Sequence, residues 1–132
     1  MTFIVDANIV VELIAFETLT EVGVRADARL QSERPAAPQL LRLEVLNSVL
    51  MKERRGIITT DAADLALQGY DDLMVALDDL VDVASVASIV RRHWLTAYDA
   101  TYLELAVRRA LPLATNDRAL RRAARAEGVV LV

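Results

Sequence analysis

Along the chain, apolar runs too short to form helices alternate with segments whose apolar residues recur at helical spacing. Phe3-Ile4-Val5 is such a run, followed by Asp6-Ala7-Asn8 and a helical pattern from Ile9 to Phe16. This predicts a buried strand leading into a helix, with Asp6 at the carboxyl end of the strand. Leu19, Val22, Ala26 and Leu30 repeat as one helix face. Glu33 to Pro38 interrupts it, leaving room between the prolines for only a very short strand. From Gln39 to Arg54 apolar residues fall on almost every side of a helical projection, which predicts a largely buried helix closed by Gly56. Thr59-Thr60-Asp61 opens the next helix toward Leu67, with Asp61 and Asp64 spaced as cap and third-residue acid. Gln68 to Asp72 reads as a turn, and Leu73 to Leu77 fits a strand or a helix equally well.

The second half repeats the alternation. Leu80 to Trp94 is helical in pattern, Thr96 starts another helix continued by Leu103, Ala106, Val107 and Ala110, and Pro112 to Thr115 is a strand. Asn116-Asp117 leads into a helix reaching Ala126, Gly128 ends it, and Val129 to Val132 forms a last strand. Strands that read as continuous apolar runs between helices specify an α/β fold with a central parallel sheet flanked by helices.

Composition narrows the chemistry. The 132 residues fit one domain, 1–132, with a core that needs no staple. With no cysteine, thiolate zinc sites and thiol catalysis are excluded, and with His93 as the sole histidine so are His-rich metal sites. Oxygen ligands remain, and they favour magnesium or manganese. Isolated glycines disfavour dinucleotide and P-loop sites. The start has no basic leader and no stretch approaches a membrane span of roughly 18 apolar residues, so a cytoplasmic protein is expected. The net charge of −4 conceals clustered arginines, at 54–55, 91–92, 108–109 and 118–125, and a single lysine, Lys52. Such patches can meet phosphate although the whole molecule repels it.

Four acids stand out. Open parallel sheets bind ligands beyond the carboxyl ends of their strands, where Asp6 sits and where Asp117 follows Thr115. Both positions also suit helix caps, and Thr96-x-x-Asp99 has the spacing of a capping box. Glu44 lies within a helix crowded with apolar residues and needs a cation, hydrogen-bond donors or water. Asn47 falls near the same side. Carboxylates gathered in one crevice repel one another unless a divalent cation neutralises them.

The strings Phe3-Ile4-Val5-Asp6-Ala7-Asn8, Leu43-Glu44-Val45-Leu46-Asn47, Leu95 through Tyr102 and Leu113-Ala114-Thr115-Asn116-Asp117-Arg118-Ala119-Leu120 together resemble the PIN-domain nucleases, specifically the VapC-type toxins of toxin–antitoxin pairs. The resemblance runs nearly end to end. It implies a three-layer α/β fold in which Asp6, Glu44, Asp99 and Asp117 meet at the sheet's carboxyl edge and hold one or two magnesium or manganese ions. Asn8 and Thr115 would support them by hydrogen bonding or by positioning water. The implied activity is endonucleolytic hydrolysis of RNA, the implied partners a cognate antitoxin protein and a second copy in a homodimer. The alternatives are a PIN nuclease of RNA processing and a catalytically idle PIN domain that binds protein.

Haloacid-dehalogenase-like phosphatases need an Asp where Asn8 stands, and phosphoacceptor receivers need a late lysine, which is missing. Arg118, Arg121, Arg122 and Arg125 share a broad face of the last helix and are candidate RNA contacts, or a solvated surface. Trp94 reads as core or interface, His93 as a possible substrate contact, and Tyr98 and Tyr102 as core or base-stacking residues. Val10, Leu13, Ile14, Phe16 and Leu19 would form an apolar groove for an antitoxin helix, or be buried.

Overall fold

The structure, a computed structural model, describes residues 1–15 and 17–132. In chain order the elements are β1 (Thr2–Val5), α1 (Ala7–Ile14), α2 (Glu21–Arg29), β2 (Arg34–Pro38), α3 (Leu40–Arg54), α4 (Thr60–Asp72), β3 (Ala76–Asp78), α5 (Val83–His93), α6 (Ala97–Arg109), β4 (Leu113–Ala114) and α7 (Arg118–Ala126). The four strands are all parallel, in the order β3-β2-β1-β4. Phe3, Ile4 and Val5 have almost no solvent exposure, as strands covered on both faces require. On one side α6 lies against β1 and β2, with α5 and α7 packed on it. On the other, α1 gathers α2, α3 and α4, completing a three-layer arrangement.

The strand order decides where chemistry can sit. From β1 the chain steps through β2 to β3 in one direction, and β4 then adds to the opposite edge of β1. The order therefore reverses between β1 and β4, the place where parallel sheets open a crevice beyond their carboxyl ends. Register reinforces this: Val5 pairs with Ala114, so the residues following each strand emerge side by side. The Asp6 amide continues the ladder by donating to the Ala114 carbonyl (3.0 Å).

Several local expectations change. Gln68 to Asp72 forms the end of α4 rather than a turn. A mid-helix glycine costs only about 1 kcal/mol, and Tyr70 and Leu73 offset it by packing against the core. Leu73 to Leu77 yields a strand only from Ala76 onward. Thr59, not Asp61, caps α4, accepting a bond from the Ala62 amide (3.1 Å). The terminal run contributes a single bridge, Leu131 to Leu113, instead of a full strand.

The largest revision concerns α3. Leu41, Val45 and Val49 make one buried stripe, whereas Leu43 is 70% exposed and Leu46 and Leu50 also face outward. Apolar residues all round a helix do not by themselves require burial all round. Trp94 is not core either: it is 92% exposed, in the left-handed conformation that ends α5. No described helix is long and apolar enough to cross a membrane.

Candidate active site

Asp6 is placed by three donors. Its Oδ1 accepts from the Ala7 amide (2.7 Å), making it the cap of α1. Its Oδ2 accepts from the hydroxyl of Thr115 (2.6 Å) and from Nδ2 of the Asn8 side chain (2.9 Å). Thr115, fully buried at the end of β4, thus ties residues 109 apart in sequence. The same hydroxyl accepts from the Asp117 amide (3.0 Å), and the Asn8 carbonyl oxygen accepts from the Asn116 amide (3.1 Å). Asn8 and Thr115 are therefore the ties that hold the two strand ends in register. An Asp at position 8 would turn the donor beside Asp6 into another repelling carboxylate.

The other acids arrive from separate helices. Glu44 projects from α3 and accepts from the hydroxyl of Tyr102 (2.7 Å), whose ring is fully buried. Asp99 sits in the first turn of α6, where Thr96 is the cap, its hydroxyl accepting from the Asp99 amide (3.1 Å), while the Asp99 carboxyl lines the cleft rather than closing a reciprocal capping box. Asp117 caps α7 through Oδ1, accepting from Leu120 (2.7 Å). All four acids, with Asn8 and Ser48, line one cleft of about 250 Å³. Among the described residues, its lining contains no Lys, Arg or His.

Electrostatics follow from that geometry. Burial lifts the Asp6 carboxyl from 3.8 to about 6, with Glu44 and Asp99 adding to the rise and the Thr115 and Ala7 bonds opposing it. Burial also raises Glu44, where the Tyr102 bond works against the shift and Asp99 adds to it. Asp99 is raised by burial and then by Asp117. Desolvation and the neighbouring Glu44 push the Tyr102 phenol above its ordinary range, keeping it a donor. The acids thus feel one another as a set with no internal cation. Among the described residues, no group of three or more His, Cys, Asp or Glu is drawn together as a formed metal-binding cluster. The donor chemistry nonetheless suits a hard divalent ion, being carboxylate, amide and hydroxyl oxygen throughout.

Two contributors escaped the sequence reading. Ser48 lies one helical turn after Glu44 on α3 and faces the same cleft; the i, i+4 spacing was the available signal. Glu12, 7% exposed, accepts from the Thr20 amide (2.7 Å) and from the Asn116 side chain (2.5 Å), anchoring the residue before Asp117. A side chain on Gly23 would come within 2.6 Å of Glu12 Oε1.

The remaining candidates fare differently. Arg118, Arg122 and Arg125 are exposed, while Arg121 turns back to donate to the Thr115 carbonyl (2.9 Å). His93 meets Glu127 (2.7 Å), Tyr98 is 67% exposed, and Tyr102 belongs to the site as a buried donor. Val10 and Ile14 are buried, so they do not line an open groove, and Phe16 lies outside the described residues.

The family model for the PIN domain matches residues 3–126. Among curated proteins, Ribonuclease VapC3 of Mycobacterium tuberculosis is 34% identical over 120 residues, covering 91% of this chain and 85% of that protein. Ribonuclease VapC3 of Pyrobaculum aerophilum is 30% identical over 127 residues, covering 91% and 92%. Among solved structures, PAE2754 from Pyrobaculum aerophilum superposes with a TM-score of 0.77 at 23% identity, covering all of this chain and 90% of that one. VapBC2 from Rickettsia felis, bound to a DNA fragment from its promoter, gives 0.70 at 13% identity, covering 100% and 98%. At those identities the two structures speak for the fold.

Proposed function

The chain belongs to the PIN-domain family and is related to VapC-type ribonucleases, and from that premise we propose that it is a divalent-metal-dependent endoribonuclease, the toxin of a toxin–antitoxin pair. Family membership supports ribonuclease function in general. The observation that carries the finer reading is the convergence of four acids from four separate elements on one cleft that offers them no basic partner.

Asp6, Glu44, Asp99 and Asp117 would hold magnesium or manganese, as one or two ions. When bound, the metal supplies Lewis-acid activation of water and stabilises charge on the phosphate and the leaving oxygen. The protein's own contribution is placement. Thr115 and Asn8 fix the rotamer of Asp6, and Tyr102 fixes Glu44, so the carboxylates are preorganised rather than mobile. Ser48 lines the cleft as a neutral group able to orient water or a phosphate oxygen. A carboxylate with a raised pKa, such as Asp6 or Asp99, is a stronger base for the proton lost by the attacking water.

The proposed homodimer would cover the groove of about 670 Å³ bounded by Leu40, Val83, Val86, Val90 and Tyr98, whose mainly apolar lining would suit a second copy. The antitoxin is expected to be a small DNA-binding protein encoded beside this chain. The decisive assay is cleavage of RNA by purified protein across magnesium and manganese titrations, with Asp6→Asn and Asp99→Asn in parallel. Metal-dependent cleavage lost in both variants is expected, and release from inhibition by the neighbouring protein separates a toxin from an RNA-processing nuclease. Metal-independent cleavage, or full activity in both variants, refutes the mechanism.

A further inference from the structure

The acidic cleft repels the phosphates flanking a cut, so a nuclease needs a cationic track leading away from it. The sequence points to the arginine face of α7, where Arg118, Arg122 and Arg125 are exposed and Arg121 donates to the Thr115 carbonyl, but none of the four lines the acidic cleft. A second cleft, of about 450 Å³, shares Glu44 and Ser48 with the acidic one and continues past Asn47, Met51, Lys52, Arg55 and Ile57. Glu44, Ser48, Met51 and Lys52 recur on one face of α3, and its C-cap Arg55 continues that face. Lys52 and Arg55 stand about 12 and 16 Å along the helix axis from Glu44, at the usual rise per residue.

We propose that this groove along α3 binds the single-stranded RNA flanking the scissile phosphate, with Lys52 and Arg55 contacting the backbone; the proposal rests on the nuclease reading above. Charge complementarity selects this occupant. Arg55 is exposed and makes no ion pair among the described residues. Lys52 pairs with Glu17, but both side chains are partly exposed, so a phosphate can replace that weak partner. Met51 and Ile57, the latter 63% exposed, offer apolar surface to an unstacked base, and Asn47 offers both a donor and an acceptor. Phosphate contacts by two cations with few base-reading groups describe a groove that sets affinity more than sequence.

The test uses the full chain and a fluorescein-labelled single-stranded RNA of about 12 nucleotides, a length typical of such grooves. Cleavage in magnesium gives kcat and KM, and anisotropy with the Asp99→Asn protein in chelator gives binding without cleavage. Replacing Lys52 and Arg55 by Gln is expected to raise KM roughly tenfold, leave kcat within about twofold, and flatten the salt dependence of binding by about 1.4 in log–log slope. Glu17→Gln, which frees Lys52 without removing a cation, is expected to tighten binding and guards against misreading a folding defect. Unchanged KM and salt slope in an active enzyme overturn the assignment and leave the groove to an acidic protein partner; a loss confined to kcat overturns it equally. If wild-type protein binds this RNA through Lys52 and Arg55 but never cuts it, the nuclease reading fails while the groove stands.

Discussion

Replacing Asp6 by Asn should abolish cleavage and yet make the metal-free protein more stable. Asp6 is 5% exposed, and its carboxyl is lifted from 3.8 to about 6, first by burial. Keeping it ionised at neutral pH therefore costs about 3 kcal/mol relative to the unfolded chain. Because the folded pKa is the higher one, the native state holds the proton more tightly. The contribution of Asp6 is fully favourable below pH 3.8 and is lost as pH rises toward and through about 6. Asn carries no charge at any pH. It does place an amide where Oδ2 accepts from both Thr115 and Asn8, a mismatch worth about 1 kcal/mol. The net gain for Asp6→Asn should be about 2 kcal/mol above pH 7, shrinking toward zero or reversing below pH 4. Urea unfolding of both proteins in chelator, from pH 4 to 8, measures the difference directly. Saturating magnesium should then narrow it by stabilising the wild type alone. A difference that does not change with pH, or a variant less stable at pH 8, would refute the claim that desolvated charge is held at this position.

Three further outcomes test the surrounding structure. Tyr102→Phe keeps the buried ring but removes the bond to Glu44, so the Glu44 pKa should climb further and the acid limb of kcat/KM should move to higher pH; an unmoved limb removes Tyr102 from the site. Gly23→Ala forces a methyl group against Glu12, which four bonds from Thr20 and Asn116 keep from retreating, and should cost about 1–3 kcal/mol in urea unfolding together with some activity. Ala110 ends α6 at φ 52 and is exposed, so Ala110→Gly should raise stability by about 1 kcal/mol, and a lowered Tm would show that the left-handed conformation is not strained there.

Local patterning was enough to specify the alternation of strands and helices and the presence of an acid just beyond β1 and β4. Each of these depends on neighbours a few residues apart, through pleat, helical period and capping. The four acids could be joined in advance only because their strings resemble a known family. What spacing leaves open is which strand lies beside which. The order β3-β2-β1-β4 is a choice among sheet topologies, and it alone brings Asp6 to Thr115 and opens the crevice at the reversal. The same holds for α3. Its composition reads as burial on every side, yet the fold supplies neighbours for only one stripe, leaving Leu43 outward and turning Glu44 and Ser48 toward the cleft. Tyr102 looked like core or a stacking residue; it is core that also holds Glu44, a distinction made by one hydroxyl across 58 residues of chain. Such long-range pairings leave no period in the sequence, because their partners are chosen by packing of whole layers and not by the local geometry of the backbone.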